Sequence, residues 1–203
     1  MRYPAHHCTA RLTAEVQRIS PSSQIFAPLL SGVPSFLVPP TLLSEPQAFL
    51  QLLTIGRVTR LVAVPAFLRL LIAATIPNHH PDPLPPLSLL VSSGEPLSVG
   101  LWRELCDTFL GVRVLNLYGM TEAAADSTCF DPEEAVRVGA WACPHDPDAH
   151  LPIGCPIQST WVALVDEDMQ LITSDDRTGC VGLGLSWVWF GFRHAASVSS
   201  SEL

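Results

Sequence analysis

The sequence predicts an α/β fold, a mostly parallel sheet flanked by helices, and three observations carry that prediction. Short apolar runs bounded by Gly or Pro recur at Ser35-Phe36-Leu37-Val38, Thr59–Val64, Leu87–Val91 and Val112–Leu117, and they read as strands buried on both faces. Stretches of helical apolar spacing lie between them: Phe49, Leu50, Leu52 and Leu53; then Phe67, Leu68, Leu71 and Ile72; then Leu101, Trp102, Leu105 and Phe109. This alternation of helix and strand implies right-handed crossovers, which join neighbouring parallel strands.

Taken in order, Met1–Arg18 carries no motif and is left unassigned. Phe26–Gly32 suits a short helix stopped by Gly32. Pro39-Pro40 stops the strand Ser35–Val38. Ser44-Glu45-Pro46-Gln47 fits a capping box, with Ser44 as N-cap, Gln47 three residues on and Glu45 at the positive end of the helix dipole. Gly56 suits the end of that helix, and Pro65 can open the next. Ile76–Pro86 is a proline-rich loop. Ser92–Pro96 is the loop after the strand Leu87–Val91; Ser98–Leu110 is a helix ended by Gly111. Beyond Glu122, Ala123–Asp131 loses periodicity, and Pro144–Asp148 is a loop. Trp161–Val165 is a strand, and Asp166-Glu167-Asp168 turns it into Met169–Ile172.

Bulk properties bound the function. The 203 residues fit one domain or part of a larger one, and 48% of them are apolar. The mean hydropathy of +0.31 allows a sizeable core. A net charge of −8 argues against nucleic acid as partner, since phosphate-backbone binding needs clustered cations. All eleven basic residues are arginine; lysine does not occur. The six cysteines are scattered with no C-x-x-C pair, which argues against a zinc site. No secretory signal is visible, so they read as reduced thiols of an intracellular, cytoplasmic protein. Arg2, Arg11 and Arg18 with Glu15 make a poor organellar transit peptide. Cys106 reads as core, and His6-His7-Cys8 and His79-His80 with Asp82 read as solvated polar residues rather than metal sites. The charge-free run Ile19–Ser44 is long enough to span a bilayer, but Pro21, Pro28, Pro34, Pro39 and Pro40 break it, so no membrane span is expected.

The stretch that points to chemistry is Val114–Asp126, VLNLYGMTEAAAD. Ligands in α/β sheets bind past the carboxyl ends of strands. Tyr118, Thr121 and Glu122 would stand there, and each suits part of a nucleotide: an aromatic face for a base, a hydroxyl for a phosphate oxygen, a carboxylate for Mg²⁺. Spacing alone leaves an ordinary strand end with a polar turn equally open.

Asn116–Glu122, NLYGMTE, resembles the N-x-Y-G-x-T-E signature of the adenylate-forming (AMP-binding) superfamily, which includes acyl-CoA synthetases and peptide-synthetase adenylation domains. Ser92–Leu97 resembles its adenine-side loop and Leu151–Ile157 its P-I-G-x-P-I segment, while Phe26–Gly32 and Arg57–Leu71 resemble two upstream stretches. In finer detail TEAAAD-x-TCFD is most similar to acyl-activating proteins related to aminoadipate-semialdehyde dehydrogenase. The resemblance implies an incomplete N-terminal domain: residues 19–131 as the α/β nucleotide-binding part, 132–184 as the start of a small β-barrel, and 185–203 as a non-matching tail with Trp187, Trp189 and Phe190. That tail reads as a truncation or an altered reading frame.

The resemblance also implies site roles. Gly94 and Glu95 would lie beside adenine, Asn116 and Tyr118 would bind it, Gly119 would permit close backbone approach, Thr121 would bind phosphate and Glu122 would hold Mg²⁺, with Thr121 and Glu122 as the catalytic pair. The implied reaction joins ATP to a small carboxylic acid and passes the acyl group to a thiol, of coenzyme A or of a phosphopantetheine arm on a carrier domain. The family's amino-group aspartate has no counterpart at Ile19 or Ser20, so an α-amino acid is not supported. Thr178-Gly179 match a later segment, but Cys180 stands where Glu is usual. The lysine-bearing phosphate loop and lid and a T-G-D segment have no match either. The chain is therefore expected to be catalytically incomplete, the alternative being a non-catalytic nucleotide- or partner-binding fragment.

Overall fold

The computed structural model describes residues 8–12, 28–75, 84–120, 123, 125–166, 168, 170–172, 178–185, 188–190 and 198–199. Its main sheet has seven strands: β1 (Cys8–Leu12), β2 (Ser35–Val38), β3 (Val58–Ala63), β4 (Leu89–Ser93), β5 (Arg113–Met120), β6 (Ala125–Phe130) and β7 (Cys155–Pro156). The spatial order is β2-β1-β3-β4-β5-β6-β7. Pairing is parallel from β2 to β5 and antiparallel from β5 to β7. Helices α1 (Pro46–Ile55), α2 (Pro65–Thr75) and α3 (Val99–Thr108) connect successive parallel strands, as the alternation predicts. A short helix α4 (Pro132–Arg137) follows β6.

The three crossover helices share one core with one side of the sheet. Leu61, Leu90 and Val114, in register across β3, β4 and β5, are fully buried in one cluster with Phe49 and Leu53 of α1, Leu68 and Leu71 of α2, and Leu101 and Leu105 of α3. Phe49 and Phe67 meet edge to face at 5.1 Å. Side chains alternate across a strand, so Val62, Val91, Leu115 and Leu117 point the other way; they are half-buried and stand outside that core.

Two expectations are corrected, the capping box and the barrel, and two stretches without an assigned element prove to hold strands. The unassigned N-terminal segment supplies β1, which inserts between β2 and β3; nothing in its local pattern announces a strand whose partners lie tens of residues away. The capping box does not form: Ser44 ends a 3-10 turn (Pro40–Ser44), Glu45 is the N-cap without a side-chain cap bond, and Pro46, preset for a first helical turn, starts α1. The aperiodic Ala123–Asp131 contains β6, held by backbone pairing to β5 through a bulge rather than by apolar alternation. The anticipated barrel is an open sheet among the described residues: β8 (Thr160–Val165), β10 (Val188–Phe190) and β11 (Val198–Ser199) all pair antiparallel with β9 (Thr178–Leu185). Within the run Ile19–Ser44, Ser35–Val38 is a strand, and no described helix is long and apolar enough to cross a membrane.

Candidate functional site

The parallel strands β4 and β5 end side by side, and the chain around those ends is tied together by four contacts. At the end of β4, Ser93 Oγ donates to Asp126 Oδ1 at 3.0 Å. Asp126, the second residue of β6, stands opposite Gly119 of β5. Burial pushes its carboxyl above the ordinary carboxylate value, and the Ser93 hydrogen bond opposes part of that rise. Among the described residues no arginine pairs with it. Next, Gly94 turns the chain at φ +90°, a conformation suited to glycine, and Glu95 Oε2 accepts from the Ala66 N–H at 3.1 Å, in the first turn of α2.

The other two contacts hold the Leu151–Ile157 segment. Asn116 is buried, and its Nδ2 donates to the Pro152 carbonyl at 2.9 Å; its amide oxygen stays available as an acceptor. Thr128 Oγ1 donates to the Ile153 carbonyl at 2.6 Å. Gly154 then crosses β6 so closely, at φ +82°, that a Cβ there would stand 2.1 Å from the Cys129 carbonyl oxygen; only glycine fits. Tyr118 shares the Asn116 side of β5. Its half-buried ring packs on a second apolar cluster formed by Ala123, Leu164 and Val181, and burial raises its phenol pKa.

The structure thus brings Gly94, Glu95, Asn116, Tyr118 and Gly119 to one end of the sheet. The strand runs further than the pattern suggests: Tyr118 and Gly119 lie within β5, which continues to Met120 because β6 pairs with it there. Thr121 and Glu122 lie outside the described residues, as do His6, His7, His79, His80 and Asp82. Among the described residues no three His, Cys, Asp or Glu side chains converge as a metal site. Burial, with Glu133 and Asp107 nearby, pushes the Cys106 thiol up to about 11, which leaves it a thiol at neutral pH and fits its expected place in the core.

Sequence reading missed the Ser93–Asp126 pair. The signal available was a single carboxylate in the otherwise small and apolar run Ala123–Phe130.

The AMP-binding enzyme family matches residues 19–183. The beta-alanyl-bioamine nonribosomal peptide synthetase ebony of Drosophila melanogaster is 30% identical over 91% of this chain and 21% of its own length. The D-alanine–D-alanyl carrier protein ligase of Bacillus licheniformis is 25% identical over 78% of this chain and 30% of its own. This chain therefore spans under a third of either relative. The AMPPNP-bound crystal structure of the nonribosomal peptide synthetase FmoA3 has a TM-score of 0.75 at 24% identity, covering 91% of this chain and 18% of that one; this likeness shows the fold. The crystal structure of CmiS6 has a TM-score of 0.72 at 26% identity, covering 91% of this chain and 42% of that one. Signature strand, crossing glycine and these likenesses converge on one conclusion: the chain belongs to the AMP-binding enzyme family.

Proposed function

We propose that this chain is the central portion of a domain that activates a carboxylic acid with ATP. The observation that carries this reading is the family match over residues 19–183, with the signature strand ending beside Gly94 and Asp126. In the proposed first step a carboxylate oxygen of the acid attacks the α-phosphorus of ATP. The bond to pyrophosphate breaks, and an acyl-adenylate remains. In the second a thiol sulfur attacks the acyl carbonyl, AMP leaves and the thiol proton passes to solvent. A carrier-bound thiol is favoured by the relative named as a carrier protein ligase. Mg²⁺, when bound, would neutralise charge on the phosphates; the Glu122 carboxylate suits so hard a cation, and the Thr121 hydroxyl a phosphate oxygen. The described residues position and shield: Asn116 offers its amide oxygen to the base, Tyr118 an aromatic face, and Gly94 close backbone approach.

Asp126 narrows the acid. A half-buried carboxylate without a cationic partner among the described residues suits a substrate ammonium, and two relatives are named for β-alanyl and D-alanine units. An acid bearing an amine is thus the proposed substrate class, its ammonium held by a carboxylate other than the one missing at residues 19 and 20.

The lack of lysine supports a second reading, a nucleotide- or partner-binding fragment that does not turn over. Pyrophosphate exchange with 3-aminopropanoate, 2-aminopropanoate and propanoate, alongside nucleotide-dependent melting, separates the readings. Exchange that favours an amine-bearing acid and is lost in Glu122→Gln supports activation. Background exchange with a melting shift on ATP selects the binder. Neither exchange nor shift overturns both.

A further inference from the structure

We propose that Cys129 and Cys155 form a reversible, redox-sensitive staple between β6 and β7. They are far apart in sequence, but the antiparallel register sets them directly opposite each other. Side chains of directly opposed residues share one face of a sheet. Pro156 has no N–H, so its pair with Thr128 is a non-hydrogen-bonded one and Cys129–Cys155 is the adjacent bonded pair. Cα atoms of such a pair are about 5.5 Å apart, inside the range of about 4.4–6.8 Å that a disulfide spans. Both cysteines are free thiols, and each lies within electrostatic reach of the other.

Exposure assigns the order of events. Cys155 is exposed and meets an oxidant first; Cys129 is half-buried and resolves. With hydrogen peroxide as oxidant, the Cys155 thiol takes one oxygen, giving a sulfenic acid and one water. The Cys129 sulfur then attacks the Cys155 sulfur, the S–S bond forms and a second water leaves. Two thiols lose two electrons and two protons, and one peroxide becomes two waters. Cys106 is half-buried in the core cluster, and Cys143 is engaged by Arg103 at 3.1 Å.

The staple acts on a weak point. β7 is two residues long and sits at the sheet edge. The segment it belongs to is held by the Pro152 and Ile153 carbonyls and by the crossing at Gly154. A covalent link closes the loop from Cys129 to Cys155 and removes unfolded-state freedom. Oxidation therefore clamps Leu151–Ile157 onto β6, the strand paired with the one that carries Asn116 and Tyr118.

The whole chain, treated with about one equivalent of hydrogen peroxide and digested without reduction, tests this. The expected result is a linked peptide pair joining Cys129 to Cys155, lighter by two hydrogens. The melting temperature rises by several degrees and returns with dithiothreitol. Because burial raises the Cys129 pKa, closure quickens as pH rises. Cys155→Ser, at an exposed position, folds and loses both the link and the shift. Sulfinic acid at Cys155 with Cys129 still free, a link from either to another cysteine, or a link without a melting shift overturns the proposal.

Discussion

The two sides of the main sheet differ sharply. On the helix side Leu61, Leu90 and Val114 are wholly withdrawn from water; on the other, Val62, Val91, Leu115 and Leu117 remain half-exposed. The same strands carry both rows with the same kind of side chain, so composition does not separate them. What does is the crossover connection, which lays α1, α2 and α3 over one side alone. Parallel sheets are ordinarily covered on both faces. The lesson is that burial divides between the faces while the candidate site draws on both: Asn116 and Tyr118 alternate with Leu115 and Leu117 and so share the sealed side with Val114, whereas Asp126 meets Ser93, which shares the open side with Val91.

The largest expected effect tests the sealed side. Leu90→Ala should destabilise by about 2–5 kcal/mol, by loss of a fully buried side chain plus a cavity, whereas its neighbour Val91→Ala should cost about 1 kcal/mol or less. Urea titration of both variants checks this, and equal losses would erase the distinction between the faces. A middle-sized effect sharpens it. Ser98 caps α3, its Oγ accepting from Leu101 N–H at 3.3 Å and from Arg69 Nη2 at 3.1 Å. Ser98→Ala should lower stability by about 1–2 kcal/mol through that covering helix, measured the same way.

The smallest effect has the opposite sign. Because the folded pKa of Asp126 is raised, the folded state binds more protons than the unfolded one between the two pKa values. Its contribution is most favourable below the ordinary carboxylate pKa and is lost as pH rises through the folded value. Asp126→Asn should therefore melt higher than the parent near neutral pH, with the gap closing in acid. A carboxylate kept at a cost to stability is what a ligand-binding role requires. A variant no more stable than the parent at neutral pH would place Asp126 with the ordinary supports of the fold.

Much of the covered half was legible from residues alone. Ser35–Val38 was read with its observed bounds, and the helix after Ser98 with its buried Leu101 and Leu105, though it stops at Thr108 rather than Leu110, with Phe109 as its buried C-cap and Trp102 only partly buried; apolar period and turn residues are local signals. The signature on β5 was legible through its resemblance to a family pattern, since spacing alone left an ordinary strand end equally open. What failed is instructive. Ser44-Glu45-Pro46-Gln47 matched a capping pattern, yet the proline's fixed backbone moved the helix start past it.

What local pattern could not reach are meetings between distant segments. Strand β1 sits inside the sheet because β2 and β3 accept its backbone on either side, a matter of non-local pairing that leaves no mark on its own composition. The same holds for Ser93 with Asp126, Asn116 with the Pro152 carbonyl, Gly154 over Cys129, and Cys129 opposite Cys155. Residue type and spacing settle which segments turn, coil or extend, since those preferences act within a few bonds. Which segments then face one another is settled by backbone hydrogen bonding and burial across the whole sheet, and the candidate site is made of those encounters.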